Sequence, residues 1–213
     1  MIIGIKRLAS VAFVFSLTAC ASRTALPEGV YLQDDFSSAR SGWQVHEDSD
    51  GFLRYIDGAY VVRINSPRIV LWGLSAAEQT FSDVRINTVA RDESEVFEVS
   101  FGVICNYADA DNFYLFEIGP DGFYRIVNLE DGVQHVLAGE ELSPDIGVGQ
   151  DVYRLQVECG VGEQALYVDG TEIARTQDDT HHSGDVGLVA HSYDRGGAEI
   201  HFEEITVAAR TAE

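Results

Sequence analysis

From Val30 to Val207 the chain alternates apolar and polar residues with a period of two, and no twelve-residue window in that stretch carries a helical period. Successive side chains of a strand point to opposite faces, so this pattern dictates β-structure with distinct faces. Phe97, Val99, Phe101, Val103 and Cys105 share one face of a long run, with Glu98, Ser100, Gly102 and Asn106 on the other. Tyr153, Leu155, Val157 and Cys159 alternate in the same way with Arg154, Gln156 and Glu158. One face of each run is expected against a core and the other toward solvent.

Short runs rich in Val, Ile, Tyr and Phe are separated by turn signals such as Asp57-Gly58, Asp131-Gly132 and Asp169-Gly170. Aspartate–glycine pairs suit the two-residue turns of hairpins. The runs include Tyr31–Phe36, Trp43–Val45, Phe97–Tyr107, Gln134–Ala138 and Ile200–Val207. About thirteen strands in one chain need two packed sheets or a barrel. No linker, repeat or low-complexity tract interrupts residues 30–208, which read as one domain.

The first residues are of a different kind. Lys6-Arg7 precedes an apolar run, Leu8 to Leu17, which ends in Thr18-Ala19-Cys20. A basic start, a short apolar segment and small residues before a cut site make a secretory signal over 1–19, too short to span a bilayer. Leu17-Thr18-Ala19-Cys20 resembles the lipobox of bacterial lipoproteins. The resemblance implies cleavage before Cys20, acylation of its thiol and a lipid anchor in the membrane. It also implies an extracytoplasmic protein of the cell envelope. Ala21 after the cysteine, in place of aspartate, points to the outer membrane of a cell that has one. Residues 20–29 read as the lipidated tether.

The net charge is −21, from 35 acidic and 14 basic residues. Loss of the signal removes Lys6 and Arg7, so the mature chain carries no lysine and about −23. So acidic a chain repels phosphate backbones, which argues against nucleic-acid binding. Anionic headgroups repel it too, so the acyl anchor must act without electrostatic help.

Cys105 and Cys159 form an even pair in an oxidising compartment, both on apolar strand faces. A disulfide between neighbouring strands is favoured over two buried thiols. It is also favoured over zinc, which needs further ligands that no nearby histidine supplies.

Glu98 to Tyr107 running into Asn112-Phe-Tyr-Leu-Phe-Glu-Ile118, then Asp121-Gly-Phe-Tyr-Arg-Ile126, resembles the concanavalin A-like, laminin-G-like jelly rolls of bacterial secreted proteins. Tyr153 to Cys159, Leu166 to Ala174, Gly184 to Ala190, and Asp34-Asp-Phe36 with Gly42-Trp43 fit the same pattern. The module called a 3-keto-disaccharide hydrolase domain is similar as well. The resemblance covers residues 31–207 and implies an all-β, two-sheet antiparallel jelly-roll sandwich after an N-terminal signal helix. It does not fix an activity, because such sandwiches host lectins, hydrolases and adhesion domains.

Three features of the sequence resemble chemical sites and also fit ordinary surface roles. Glu93-Ser94-Glu95-Val96-Phe97-Glu98 resembles the Glu-x-Asp-x-x-Glu motif of laminarinase-type hydrolases, but its central residue is glutamate and the segment reads as a charged turn, so no catalytic residue is expected. The six histidines read as surface residues. No metal site or cofactor is expected; the jelly-roll resemblance allows a structural calcium near the chain ends, for which Asp34, Asp35, Glu203 and Glu204 are the available ligands. The best functional surface is a polar outward row, Glu98, Ser100, Glu117, Arg125, Arg154, Gln156 and Glu158, flanked by Tyr107, Tyr114 and Tyr124. Such a row suits sugar hydroxyls, with rings stacking on sugar faces. The chain is thus expected to bind a polysaccharide or glycoconjugate without catalysis. The alternatives are a glycoside hydrolase acting on a modified disaccharide and a structural or adhesion protein.

Overall fold

The computed structural model describes residues 26–75 and 80–210. The signal 1–19 and Cys20 lie outside the described residues, as does the first part of the tether. Strands account for all the regular structure among the described residues. One antiparallel sheet runs β13 (Thr171–Thr176), β12 (Gln164–Val168), β11 (Val152–Cys159), β6 (Val84–Asp92), β15 (Ala198–Ala209), β4 (Ala59–Ile64), β3 (Gly51–Ile56) and β2 (His46–Glu47). A ninth strand, β1 (Val30–Asp34), pairs the last third of β15. The second sheet has six strands in the order β10 (Val133–Leu142), β9 (Phe123–Glu130), β8 (Asn112–Ile118), β7 (Val99–Asp109), β14 (Asp185–Ser192) and β5 (Ile69–Leu74). This is a two-sheet antiparallel sandwich, one of the two arrangements that the strand count allows and the one that the resemblance implies.

Turn chemistry joins the hairpins as expected. Asp57 and Gly58 both take positive φ, 49° and 82°, and Asp169 and Gly170 take 50° and 86°. Two left-handed residues in succession make the turn whose twist matches the strands it joins.

The core lies between the sheets. Val99, Phe101, Val103 and Cys105 of β7 meet Tyr153, Leu155, Val157 and Cys159 of β11 there, with the Phe101 and Tyr153 rings 5.5 Å apart. Trp43, expected in a strand, instead sits in a loop and plugs the core beside Phe36 and Tyr60. Its backbone N–H donates to the Tyr55 hydroxyl at 2.8 Å, where a strand would offer a carbonyl. Cys105 and Cys159 form a disulfide with Cα atoms 6.5 Å apart. It joins one sheet to the other, rather than neighbouring strands of one sheet.

Two expectations about β7 are corrected. Phe97 is not on the inward face, because the strand begins at Val99 and Phe97 is 50% exposed. The preceding backbone is held elsewhere: the Glu93 and Glu95 N–H groups donate to the carbonyls of Glu199 and Gly197. The outward face is not solvated either, since Ser100, Gly102, Ile104 and Asn106 are buried. β10 also runs to Leu142, past the expected Ala138, because two irregularities of register let it follow β9. These irregularities bend the edge of the six-stranded sheet.

The pairings place the chain's entry relative to that sheet. Val30 pairs with Ala208, Ala208 with Arg85 and Arg85 with Glu158, next to the Cys159 that bridges to Cys105. The tether therefore enters at the Cys105 end of β7. Ser100 lies five residues up the strand, roughly 17 Å toward the opposite pole.

Candidate functional site

The outer face of the six-stranded sheet carries a polar cluster at one end and an apolar floor below it. Register assembles both. Arg125, Glu117, Gly102, Val189 and Trp72 lie side by side across β9, β8, β7, β14 and β5. Ser100 lies opposite His191, toward the distal pole. Val127, Leu115 and Ile104 form the next row toward the tether.

Glu117 is the hub of the cluster. Its side chain is fully buried, and Arg125 Nη2 and Nε reach Oε2 at 2.5 and 2.6 Å. The other oxygen accepts from Ser100 Oγ at 3.0 Å. Ser100 Oγ also lies 3.0 Å from the Tyr193 hydroxyl, and the Tyr193 ring stacks on His191 with centroids 4.2 Å apart. His191 Nδ1 is 3.9 Å from Glu117 Oε1, too far for a hydrogen bond, and this buried nitrogen has no partner among the described residues.

The charges are arranged to persist. Burial opposes the Arg125 charge, but the Glu117 carboxylate beside it more than offsets this and holds the guanidinium above its ordinary pKa. Burial pushes the His191 imidazole below the usual histidine range, against the pull of Glu117, so it is neutral at pH 7. Burial likewise raises Tyr193 and keeps its phenol protonated. The cluster thus presents one ion pair, a neutral imidazole and two hydroxyls.

Below it opens a groove of about 130 Å³. Trp72, Phe113, Leu115, Val127 and Val189 line it, and Arg125 forms its polar end. The Trp72 ring lies 6.1 Å from Phe113, and Phe113 stacks on Tyr107 at 5.6 Å. Trp72 also borders a shallower depression shared with Gln44 and His46.

The structure brings together only part of the expected row. Ser100, Glu117 and Arg125 converge as described. Glu98 precedes β7, is more than half exposed and faces Arg195 at 3.8 Å. Arg154, Gln156 and Glu158 lie on the outer face of the other sheet, across the core from the groove. There Glu158 pairs with Arg85 at 2.8 Å, and Arg154 and Gln156 border a depression with Asn87 and Glu204. The row is thus two surfaces on opposite sides of the sandwich, because period-two alternation gives a strand's faces but not its sheet. Of the flanking rings only Tyr107 packs against the groove's apolar cluster, stacked on Phe113. Tyr114 is buried in the main core with its hydroxyl on Asp178, and Tyr124 packs at that core's edge and donates to Glu141.

Sequence reasoning missed Trp72, His191 and Tyr193. His191 was expected at the surface but is largely buried, and His181 is tied down through Nε2, 2.8 Å from both Asn128 Oδ1 and the Leu129 carbonyl. The available signal was β8 itself: Phe113, Tyr114, Leu115 and Phe116 are apolar on both faces, as in a strand covered on both sides.

Among the described residues, no group of three or more His, Cys, Asp or Glu side chains is arranged to hold a metal ion. Of the proposed calcium ligands, Asp35 binds Ser37 and Glu203 binds Arg91. Asp34 uses one oxygen to cap Phe36, while the other is buried without a hydrogen-bond partner. The laminarinase-like segment is likewise dispersed, with Glu95 against Arg63 at 3.4 Å.

No family model matches the chain, and neither does any curated protein sequence. Solved structures do match. The carbohydrate-binding module CBM66 from Bacillus subtilis superposes with a TM-score of 0.63 at 19% identity, covering 79% of this chain and 96% of the module. A Bacillus subtilis protein of unknown function with a galectin-like fold gives 0.62 at 10% identity over 85% and 98% of the two chains. The endo-β-1,3-glucanase of Pyrococcus furiosus gives 0.59 at 10% identity over 86% and 95%. The likeness is one of fold. The chain is a galectin-like, concanavalin A-like jelly-roll sandwich, an architecture used both by a carbohydrate-binding module and by glycoside hydrolases.

Proposed function

We propose that this chain is a lipid-anchored extracytoplasmic protein whose sandwich binds carbohydrate without catalysis, through the outer face of the six-stranded sheet. One observation carries the reading. A prebuilt Glu117–Arg125 pair, held by Ser100 and beside His191, stands at the head of a groove floored by Trp72 and Phe113. Fixed donors beside an aromatic platform suit a sugar, whose hydroxyls need partners and whose ring face is apolar. The fold shared with a carbohydrate-binding module supports this use.

The chemistry argues against hydrolysis at this site. A retaining glycosidase needs two carboxyl groups about 5 Å apart, one of them free to attack. Both Glu117 oxygens are engaged, and the carboxylate beyond Arg125, Glu140, is exposed and 3.9 Å from Nη1.

A glycan-array screen, followed by titration of the best ligand, tests the reading. Trp72→Ala is expected to weaken binding at least tenfold, about 1.4 kcal/mol, whereas Arg154→Ala on the opposite sheet should bind as the wild type. Equal losses in both variants would remove the groove from the site, and release of reducing sugar would favour the hydrolase.

The anchor is tested separately. Membrane fractionation should find the wild-type chain with the envelope and Cys20→Ala in the soluble fraction. A wild-type protein that stays aqueous in detergent partitioning would exclude acylation.

A further inference from the structure

The groove is less polar than a sugar alone would need. Apart from Arg125 and Gln134, every residue lining it is apolar, and the floor is aliphatic: Leu115, Val127 and Val189 beneath Phe113 and Trp72. A hydroxyl pressed onto that floor loses water and gains no partner, which is unfavourable, whereas a hydrocarbon loses nothing there. The floor belongs to the outer face of its sheet and makes its own cluster, separate from the core between the sheets. A concave, mostly apolar lining with a polar group at its head is the usual make-up of a ligand site.

We infer that the ligand is amphipathic, a glycan carrying a hydrocarbon chain, with the sugar at Arg125 and His191 and the hydrocarbon along the apolar floor. The inference rests on the carbohydrate-binding reading and adds the chemical class of the ligand. Two further observations commit it to that occupant. At the polar end, Arg125 spends Nε and Nη2 on Glu117 but among the described residues has no partner nearer than 3.9 Å for Nη1, and His191 Nδ1 has none there either. These are polar groups for a head; the other polar residue of the lining, Gln134, pairs in register with Leu129 and is exposed. The polarity also runs the right way along the molecule. The Phe113 and Tyr107 end lies at the pole where Val30 enters, and the Ser100 end is distal. A chain anchored just upstream of Val30 would therefore turn the apolar end toward the bilayer, where a lipid's hydrocarbon lies, and the polar end outward, where its sugar lies.

A series of n-alkyl β-glucosides, methyl, butyl, hexyl and octyl, tests this on the full chain carrying Cys20→Ala. Each is titrated below its micelle concentration by calorimetry. Affinity is expected to rise roughly fourfold per added methylene until the groove is filled. Leu129→Arg, at the half-buried membrane-proximal rim, should flatten that dependence while leaving methyl glucoside binding unchanged. Affinity independent of alkyl length would overturn the amphipathic ligand and leave the carbohydrate reading standing. Octanol binding as tightly as octyl glucoside would overturn the sugar's place at Arg125. Self-association that covers Trp72, seen by sedimentation, with none of the glucosides bound would overturn the inference in favour of a second copy. In that case, the glycan-array result decides separately whether the carbohydrate reading survives.

Discussion

Removing the Cys105–Cys159 bridge as the double alanine variant is expected to destabilise the sandwich by about 4 kcal/mol in the chain-entropy model. The figure follows from the sequence separation of 54 residues, which sets the loop that the bridge closes in the unfolded chain. For a domain of this size it corresponds to a fall in Tm of about 12 °C. The bridge has a further consequence because it joins the two sheets and both cysteines are fully buried. A reductant reaches the sulfurs only when the sheets part. Reduction without denaturant should therefore be slow and track global unfolding. Scanning calorimetry of the wild type and the double variant checks the stability, and thiol-alkylation kinetics check the access. A Tm shift within about 2 °C, or reduction within seconds in native buffer, would show that the staple does not hold the sheets together.

The strands were legible because burial writes a period of two into the chain. β11 illustrates this: Tyr153, Leu155 and Val157 point to the core and Arg154 and Gln156 to the outside, as the alternation says. Which strands share a sheet was not legible. Arg154 and Arg125 look equivalent in sequence, yet they sit on opposite sides of the sandwich, since alternation carries no information about long-range pairing. β7 shows a second limit. Its Ser100 and Gly102 read as a solvent face, but both are small and are buried by neighbours on β8 and β14. Polarity alone does not separate a solvated residue from a buried one that has found a partner. His191 was hidden for the same reason, because Ser100 and Glu117, which supply much of its environment beside the nearby Tyr193, are far from it in sequence. The alternation placed Glu117 and Arg125 on the outward face, where they stand buried and paired rather than solvated. Charges at such positions must be paired.

That pairing sets the second large effect. Glu117→Ala should cost about 3–5 kcal/mol, because it leaves Arg125, a residue only 8% exposed, without its counter-charge. Most of that cost is the penalty of an orphaned charge rather than the worth of the pair. The double variant Glu117→Leu/Arg125→Met removes both charges and keeps the volume. It should recover to within about 1 kcal/mol of the wild type, since well-packed apolar residues often replace a buried pair without loss. Ligand binding should behave differently, falling at least tenfold in the single and the double variant alike. Urea unfolding with an unchanged slope, alongside titration of the glycan, separates the two quantities. Additive losses of stability would mean that the two side chains act independently. Recovery of stability without recovery of binding would show that the pair is kept for recognition, at a position where an apolar sheet face would fold as well.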